Sequence, residues 1–261
     1  MHREAGFPLD YHSTGYAYLE RPNRVLIDLL ERHVLRERPS ARILDVGCGV
    51  GANGRRIREL APEARIVGIE PNERAATLAR HALDEVFEGT LEAWAKTAED
   101  ARFDAVLLSD VLEHSAEPVA FLRQLSELPS VRQATFVVSV PNYGVWYNRV
   151  RTLFGRFEYS WSGLYDRTHL RFFTRRSLKK LLDYTGFSLI AEACTPSVVQ
   201  SAAPILRRFF ECEVDNGDHL ALADSRAFGA YERFVEPLEA RACRVWPELL
   251  GFQIVCVAKC V

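Results

Sequence analysis

Three stretches of the chain carry side chains with chemical reach. The first is Ile43-Leu-Asp-Val-Gly-Cys-Gly-Val-Gly-Ala-Asn-Gly54, where a strand runs into glycines and a helix follows at once. The others are Asp110-Val-Leu-Glu-His114 and Tyr165-Asp-Arg-Thr-His-Leu-Arg-Phe-Phe-Thr174. His114 can take a proton near neutral pH, and His169 can act as a second base or as a hydrogen-bond donor. Structural roles compete with both: His114 can shape a pocket through a backbone bond, and Asp166, Arg167 and His169 can staple their loop. Asp110, Glu113 and His114 stand at i, i+3 and i+4, on one face if the turn is helical. That spacing suits a capped turn as well as part of a metal site.

Glycines let backbone approach a ligand closely, and the first turn of an open α/β sheet is where a nucleotide-like ligand sits. Glu70, ending the second strand, can accept hydrogen bonds from both hydroxyls of a ribose. Gly49-Val-Gly-Ala-Asn-Gly54 formally satisfies the dinucleotide pattern G-x-G-x-x-G, with Glu70 about 20 residues on. The bend itself starts earlier, at Gly47. Asp45 at the strand end separates the two chemistries. A carboxylate there repels a pyrophosphate and attracts an ammonium or a sulfonium, so the electrostatics favour a cationic cofactor over NAD(P).

The elements that position these residues read as alternating helices and strands. Arg24–Arg36 has the apolar spacing of an amphipathic helix, with Pro22 suited to its first turn. Strands are expected at Arg42–Val46, Arg65–Glu70, Glu85–Gly89, Phe103–Ser109 and Ala134–Val140. Helices are expected between them at Gly51–Leu60, Glu73–Leu83, Leu91–Lys96 and Pro118–Glu127. Strand interiors such as Ala105-Val-Leu-Leu108 are apolar on both faces, as in a parallel sheet covered on both sides. Thr174 can cap a helix Arg175–Tyr184 that Gly186 closes. Ser188–Cys194 and Phe252–Lys259 complete seven strands, with helical stretches around Val198–Phe210 and Ala227–Val245 between them. The fold class is therefore α/β: a Rossmann-like, doubly wound, seven-stranded sheet in a single domain (1–261), with a helical insertion, 195–250, in the last hairpin.

Leu44-Asp-Val-Gly-Cys-Gly-Val-Gly51, Glu70, and Phe103-Asp-Ala-Val-Leu-Leu-Ser-Asp-Val-Leu-Glu-His114 together resemble successive motifs of class I S-adenosylmethionine-dependent methyltransferases. The resemblance covers roughly Val25 to Pro141 and includes ubiquinone-type O-methyltransferases in its core motifs. It implies S-adenosyl-L-methionine as cofactor and S-adenosyl-L-homocysteine as product. Gly47, Cys48 and Gly49 would line the methionine portion, with Asp45 beside it; Glu70 would hold the ribose, and Pro71, Thr90 and Leu91 would flank the adenine. Ser109 and Asp110, at the end of the fourth strand, would bind the cofactor, and Tyr18 and Arg21 would reach its carboxylate. In the ubiquinone-type enzymes the counterpart of Asp110, Glu113 and His114 resembles a divalent-metal site, so a metal enters as an option. The Tyr165–Thr174 segment resembles one found in a subgroup linked with glycan and surface-polysaccharide pathways.

The acceptor side is read from Asn142 to Phe173, dense in aromatics. From Pro141 to Lys180 nine Lys and Arg face only Glu158 and Asp166, a local surplus within a chain of net charge −2. Aromatics interleaved with arginine suit a saccharide-type acceptor, phosphate-bearing or lipid-linked, or an anionic membrane surface; nucleic acid ranks behind these. The expected activity is O-methylation of a small-molecule or sugar hydroxyl with a histidine base. N-methylation of an amino sugar, an NAD(P)-dependent oxidoreductase, and a cofactor-binding partner without catalysis are the alternatives.

The composition, with 261 residues, 48% hydrophobic and 26% charged, excludes a disordered chain, a fibre and a coiled coil. No apolar run approaches the ~18 residues of a membrane span. Six cysteines without CxxC pairing read as reduced thiols, hence a cytoplasmic setting. The 195–250 insertion is expected to act as a cap over the cleft or as a homodimer contact.

Overall fold

The computed structural model describes residues 21–97, 102–160, 163–196, 233 and 236–261. Seven strands form one sheet: β1 Arg42–Val46, β2 Arg65–Glu70, β3 Glu85–Glu88, β4 Ala105–Ser109, β5 Thr135–Pro141, β6 Phe187–Pro196 and β7 Gly251–Cys260. Their order is β3-β2-β1-β4-β5-β7-β6. The first five are parallel; β7 runs antiparallel to both β5 and β6. From β1 the chain winds outward to β2 and β3, then returns to β4 on the other side. The order reverses between β1 and β4, and the crevice at their carboxyl ends is the natural ligand site of such a sheet.

The alternation of side chains along the strands divides the core in two. Leu44, Val46, Val106, Leu108, Phe136 and Val138 pack on one face, under α4 (Leu91–Ala95), α5 (Pro118–Glu127) and α7 (Arg175–Tyr184). Ile43, Ile66, Ala105, Leu107 and Val137 face the other way, toward α1 (Arg24–Leu30), α2 (Ala52–Leu60) and α3 (Glu73–Ala79). Both faces are dry, which explains the unbroken apolar runs.

Element ends differ from expectation where a polar side chain intervenes. Asn23, not Pro22, starts α1, its Oδ1 accepting from the Leu26 amide at 3.1 Å, and α1 continues into a π turn at Glu31–Leu35. α3 stops at Ala79, short of Leu83, because Asp84 must join the sheet: its carboxylate accepts from the Ile66 amide at 2.7 Å. Asp104 likewise precedes β4, accepting from the Arg42 amide at 2.9 Å. A helix not anticipated in the aromatic stretch, α6, spans Trp146–Leu153. Thr174 and Ser177 form a reciprocal cap on α7, and Gly186 follows it at φ +83°. Of the insertion, the helices Glu236–Val245 and Pro247–Leu250 are described; Val198–Phe210, Cys212 and Tyr18 lie outside the described residues.

Candidate active site

The glycine bend joins β1 to α2 as the spacing of its glycines suggested. The Gly47 and Cys48 amides donate to the Ile69 carbonyl at 2.8 and 3.1 Å, tying the bend to the end of β2. Gly47 sits at φ +72°, and a Cβ there would lie 2.8 Å from Val111 Cγ2. Gly51, at φ +78°, caps α2 against Ala79 and Ala82. Neither position tolerates a side chain without movement.

Two carboxylates rim this bend. Glu70 is buried, and its oxygens accept from the Gly49 amide at 2.9 Å and the Asn72 amide at 3.0 Å. Asn72 in turn caps α3 through the Ala75 amide at 3.0 Å. Asp45 is fully buried, and among the described residues neither of its oxygens has a hydrogen-bond partner. Burial, and then the charge of Glu70, push the Asp45 carboxyl up to about 7. Burial and the same two carboxylates raise the Cys48 thiol, so Cys48 packs as a neutral group rather than as a nucleophile.

The remaining cofactor-side residues occupy several environments. Pro71 is half-buried beside Glu70, and Arg21 is exposed ahead of α1. The Thr90 hydroxyl accepts from the Ala93 amide at 3.3 Å, capping α4, while Leu91 sits in the core with Trp94. Ser109 ends β4 in register with Ser139. Asp110 adopts φ +57°, its amide donating to the Ser139 carbonyl at 3.1 Å. Gln253 on β7 donates to both Asp110 oxygens at 2.8 and 2.7 Å. Burial raises Asp110 to about 6 against that bond.

On the acceptor side, the structure regroups the expected residues. Leu112–His114 is a 3₁₀ turn, and the Glu113 carbonyl accepts from the Leu170 and Arg171 amides at 2.8 and 2.9 Å. That pairing brings the Tyr165–Thr174 loop onto the end of β4. The His114 and His169 rings meet edge to face, centroids 4.9 Å apart. His114 Nδ1 lies 3.2 Å from the Thr168 carbonyl and His169 Nδ1 lies 3.1 Å from the Leu164 carbonyl. A carbonyl only accepts, so each Nδ1 carries the proton, and each neutral ring keeps its lone pair on Nε2. Burial and then His169 hold His114 down to about 4, and burial lowers His169. Glu113 is buried, and among the described residues neither of its carboxylate oxygens has a hydrogen-bond partner; burial and then Asp110 weaken its acidity. The loop is stapled as well: Asp166 accepts from the Thr168 amide and hydroxyl at 2.9 and 2.7 Å.

Glu113, His114 and His169 each offer one atom within 4.8 Å of the others. This donor set fits a divalent cation, two imidazole nitrogens and one carboxylate with their Nδ1 atoms already braced by carbonyls. Asp110, grouped with Glu113 and His114 by spacing, instead faces Gln253. Gln253, Asn142 and Asn148 escaped the sequence reading. Asn142 is buried at the end of β5, its Nδ2 donating to the carbonyls of Glu248 and Gly251 at 3.0 and 2.8 Å. A polar residue at a strand's carboxyl end was the available signal.

Residues 18–192 match the family model described as a methyltransferase domain. Curated relatives include ubiquinone biosynthesis O-methyltransferases of Azorhizobium caulinodans, 34% identical over 113 residues (39% of this chain, 43% of the relative), and of Ruegeria pomeroyi, 34% identical over 125 residues (45% and 49%). The chain thus spans less than half the length of these relatives. A solved methyltransferase structure from Archaeoglobus fulgidus shares the fold, with TM-score 0.50 and 18% identity over 89% of this chain and 93% of that one. The chain belongs to the class I S-adenosylmethionine-dependent methyltransferases. S-adenosylmethionine is the cofactor of that family, and the nicotinamide alternative is set aside. The bend fits it: among the described residues the buried Asp45 carboxylate has no hydrogen-bond partner, and a carboxylate at that place favours a cationic ligand.

Asp45 makes the fit measurable. Unliganded, it keeps its proton to about pH 7, whereas an unfolded chain releases it near 3.8. The native state therefore binds the extra proton, and this group costs stability as pH rises from about 4 to about 7. A bound cation favours the ionised form, so S-adenosylmethionine affinity should rise between pH 6 and 8 by up to about tenfold. Calorimetry in buffers of different ionisation enthalpy should detect proton release, and Asp45→Asn should abolish it. A flat pH profile in the unmodified protein would detach Asp45 from the cofactor.

Proposed function

We infer that the chain methylates a hydroxyl of a small-molecule or sugar-type acceptor, with His114 taking the hydroxyl proton. Its main support is the neutral imidazole just beyond β4, aligned by Thr168, in a turn whose leading residue, Val111, packs against Gly47 of the bend. When bound, S-adenosylmethionine supplies a methyl group on a sulfonium that leaves as a neutral thioether. The chain's part is to orient the acceptor oxygen and remove its proton as the new C–O bond forms. His114 Nε2 accepts that proton while Nδ1–H stays on the Thr168 carbonyl. Asp166, within the same loop, favours the resulting imidazolium. The curated relatives are named O-methyltransferases, and the aromatic, arginine-rich stretch suits a saccharide with phosphate or a lipid tail.

Purified protein, labelled S-adenosylmethionine and a panel of hydroxyl and amine acceptors test this. Transfer to hydroxyls is expected. Transfer to amines alone would move the assignment to N-methylation, and tight cofactor binding without transfer to any acceptor would make the chain a cofactor-binding partner.

The Glu113–His114–His169 donor set favours a second reading, in which a divalent cation held there polarises the acceptor hydroxyl and His114 is a ligand instead of a base. Turnover is expected to survive exhaustive chelation. Loss on chelation, restored by Zn²⁺ or Mg²⁺ and absent in Glu113→Ala, would select the cation.

A further inference from the structure

The end of α6 projects a concentrated apolar surface. Val150 is 47% exposed, Leu153 81%, Phe154 72%, Phe157 43% and Tyr159 45%. No other ten-residue stretch among the described residues exposes as many large hydrophobic side chains. The opposite side of the same helix is anchored: Asn148 is buried, its Nδ2 donating to the Tyr143 carbonyl at 2.5 Å, and Trp146 and Tyr147 pack on Val145, Leu164 and Tyr165. The projecting side is therefore held by a built scaffold. Gly155, at φ +67°, turns the chain so that Phe157 comes back onto Tyr165 and Phe172, centroids 5.2 and 5.6 Å away.

Charge decides what this surface meets. Arg149, Arg151 and Arg156 alternate with these apolar residues along the chain, against Glu158 as the one acidic residue of the segment. Arg149 Nε donates to the Gly144 carbonyl at 2.6 Å, while Arg151 pairs with Glu158 at 2.9 Å and lies over the Tyr165 ring, so Arg156 carries the positive charge of the tip itself. A second copy would bring like charges together. Leucine and valine at the apex cannot stack on nucleobases but do enter hydrocarbon, while arginine stems lie along the boundary and their heads reach phosphates. We propose that the Val150–Tyr159 tip docks the protein peripherally on an anionic phospholipid bilayer, with Leu153 and Phe154 entering the acyl boundary and Arg156 facing headgroup phosphates.

The docked unit is also the one that carries His169, whose Nδ1 is held by the Leu164 carbonyl beside Tyr165. Docking would present the acceptor side to the membrane, the source of lipid-linked acceptors; that consequence rests on the proposed function, whereas docking does not.

Binding is measured with the full chain, without cofactor or acceptor, by co-sedimentation with phosphatidylcholine vesicles containing 30% phosphatidylglycerol or none. Binding to the anionic vesicles is expected, weakened by salt, and the double variant Leu153→Ser/Phe154→Ser should lower the partition coefficient at least about tenfold. Arg156→Glu should weaken binding to anionic vesicles alone. Leu153→Trp should show fluorescence quenched by brominated lipid, a gain of signal that does not depend on a damaged variant. Equal partitioning of the double variant, absence of quenching, or tighter binding to single-stranded RNA than to vesicles would overturn the proposal. Methyl transfer to soluble acceptors is read separately, so either idea can fail alone.

Discussion

Glu70→Ala is expected to weaken S-adenosylhomocysteine binding by about 100-fold, with the melting temperature of the unliganded protein changed far less. The carboxylate has two jobs in one place. Its oxygens hold the Gly49 and Asn72 amides, at 2.9 and 3.0 Å, fixing the bend and the start of α3 in one register. Each carboxylate oxygen can accept more than one hydrogen bond, the chemistry a ribose hydroxyl pair requires. Hydrogen bonds to a charged acceptor contribute about 1.5–3 kcal/mol each, so loss of the ribose contacts and a loosened bend together exceed about 2.7 kcal/mol, the hundredfold point. Unliganded stability falls less because removing Glu70 also relieves its repulsion of Asp45. Glu70→Gln should fall between: its amide nitrogen can only donate, and one of the two backbone amides then faces a donor. Titration calorimetry of the three proteins decides it. An unchanged dissociation constant in Glu70→Ala would remove the ribose assignment and leave Glu70 as a structural tie.

The bend was legible because its strand, glycines and helix are contiguous in sequence, although Ile69 and Glu70 of β2 tie it in place. Strand, positive-φ glycines and helix follow within a dozen residues, and the carboxylates mark the strand ends that face the crevice. The strands were legible for a similar reason, their two dry faces imposing apolar runs that little else requires. Element ends were less so, since Asp84 and Asp104 bind the neighbouring strand and their partners are remote in sequence. The same holds for the site's polar partners. Nothing near Asp110 points to Gln253, 143 residues away, and nothing near His114 points to His169, because the turn and loop meet through the Glu113 carbonyl. α6 was hidden differently. Its buried side rests on Asn148 and on half-buried Trp146 and Tyr147, while Leu153 and Phe154 face solvent, so its hydropathy pattern does not mark the packed face.

His114→Ala is expected to cut turnover by about two orders of magnitude while leaving cofactor affinity within a few-fold of the unmodified protein, the signature of a lost proton acceptor. Cofactor affinity should hold because the residues assigned to the cofactor, Asp45, Glu70 and the glycine bend, belong to β1, β2 and the loop after β1, whereas His114 follows β4. His169→Ala should cost less, about tenfold. It removes the ring that packs edge to face on His114, and with it part of the cause lowering His114, so the surviving imidazole becomes a stronger but less ordered base. If both rings act through one proton transfer, the double variant should be scarcely slower than His114→Ala, since groups that work as a unit are not additive. A double variant slower by the product of the two losses would mean separate roles, with His169 binding the acceptor. His114→Gln supplies the control for packing: it approximates the volume and can donate to the Thr168 carbonyl, yet has no basic nitrogen. Turnover as low as in His114→Ala would confirm that the lone pair is what matters. Recovery to near the unmodified rate would assign His114 to shaping the pocket and return the search for a base to the acceptor side of the Tyr165–Thr174 loop.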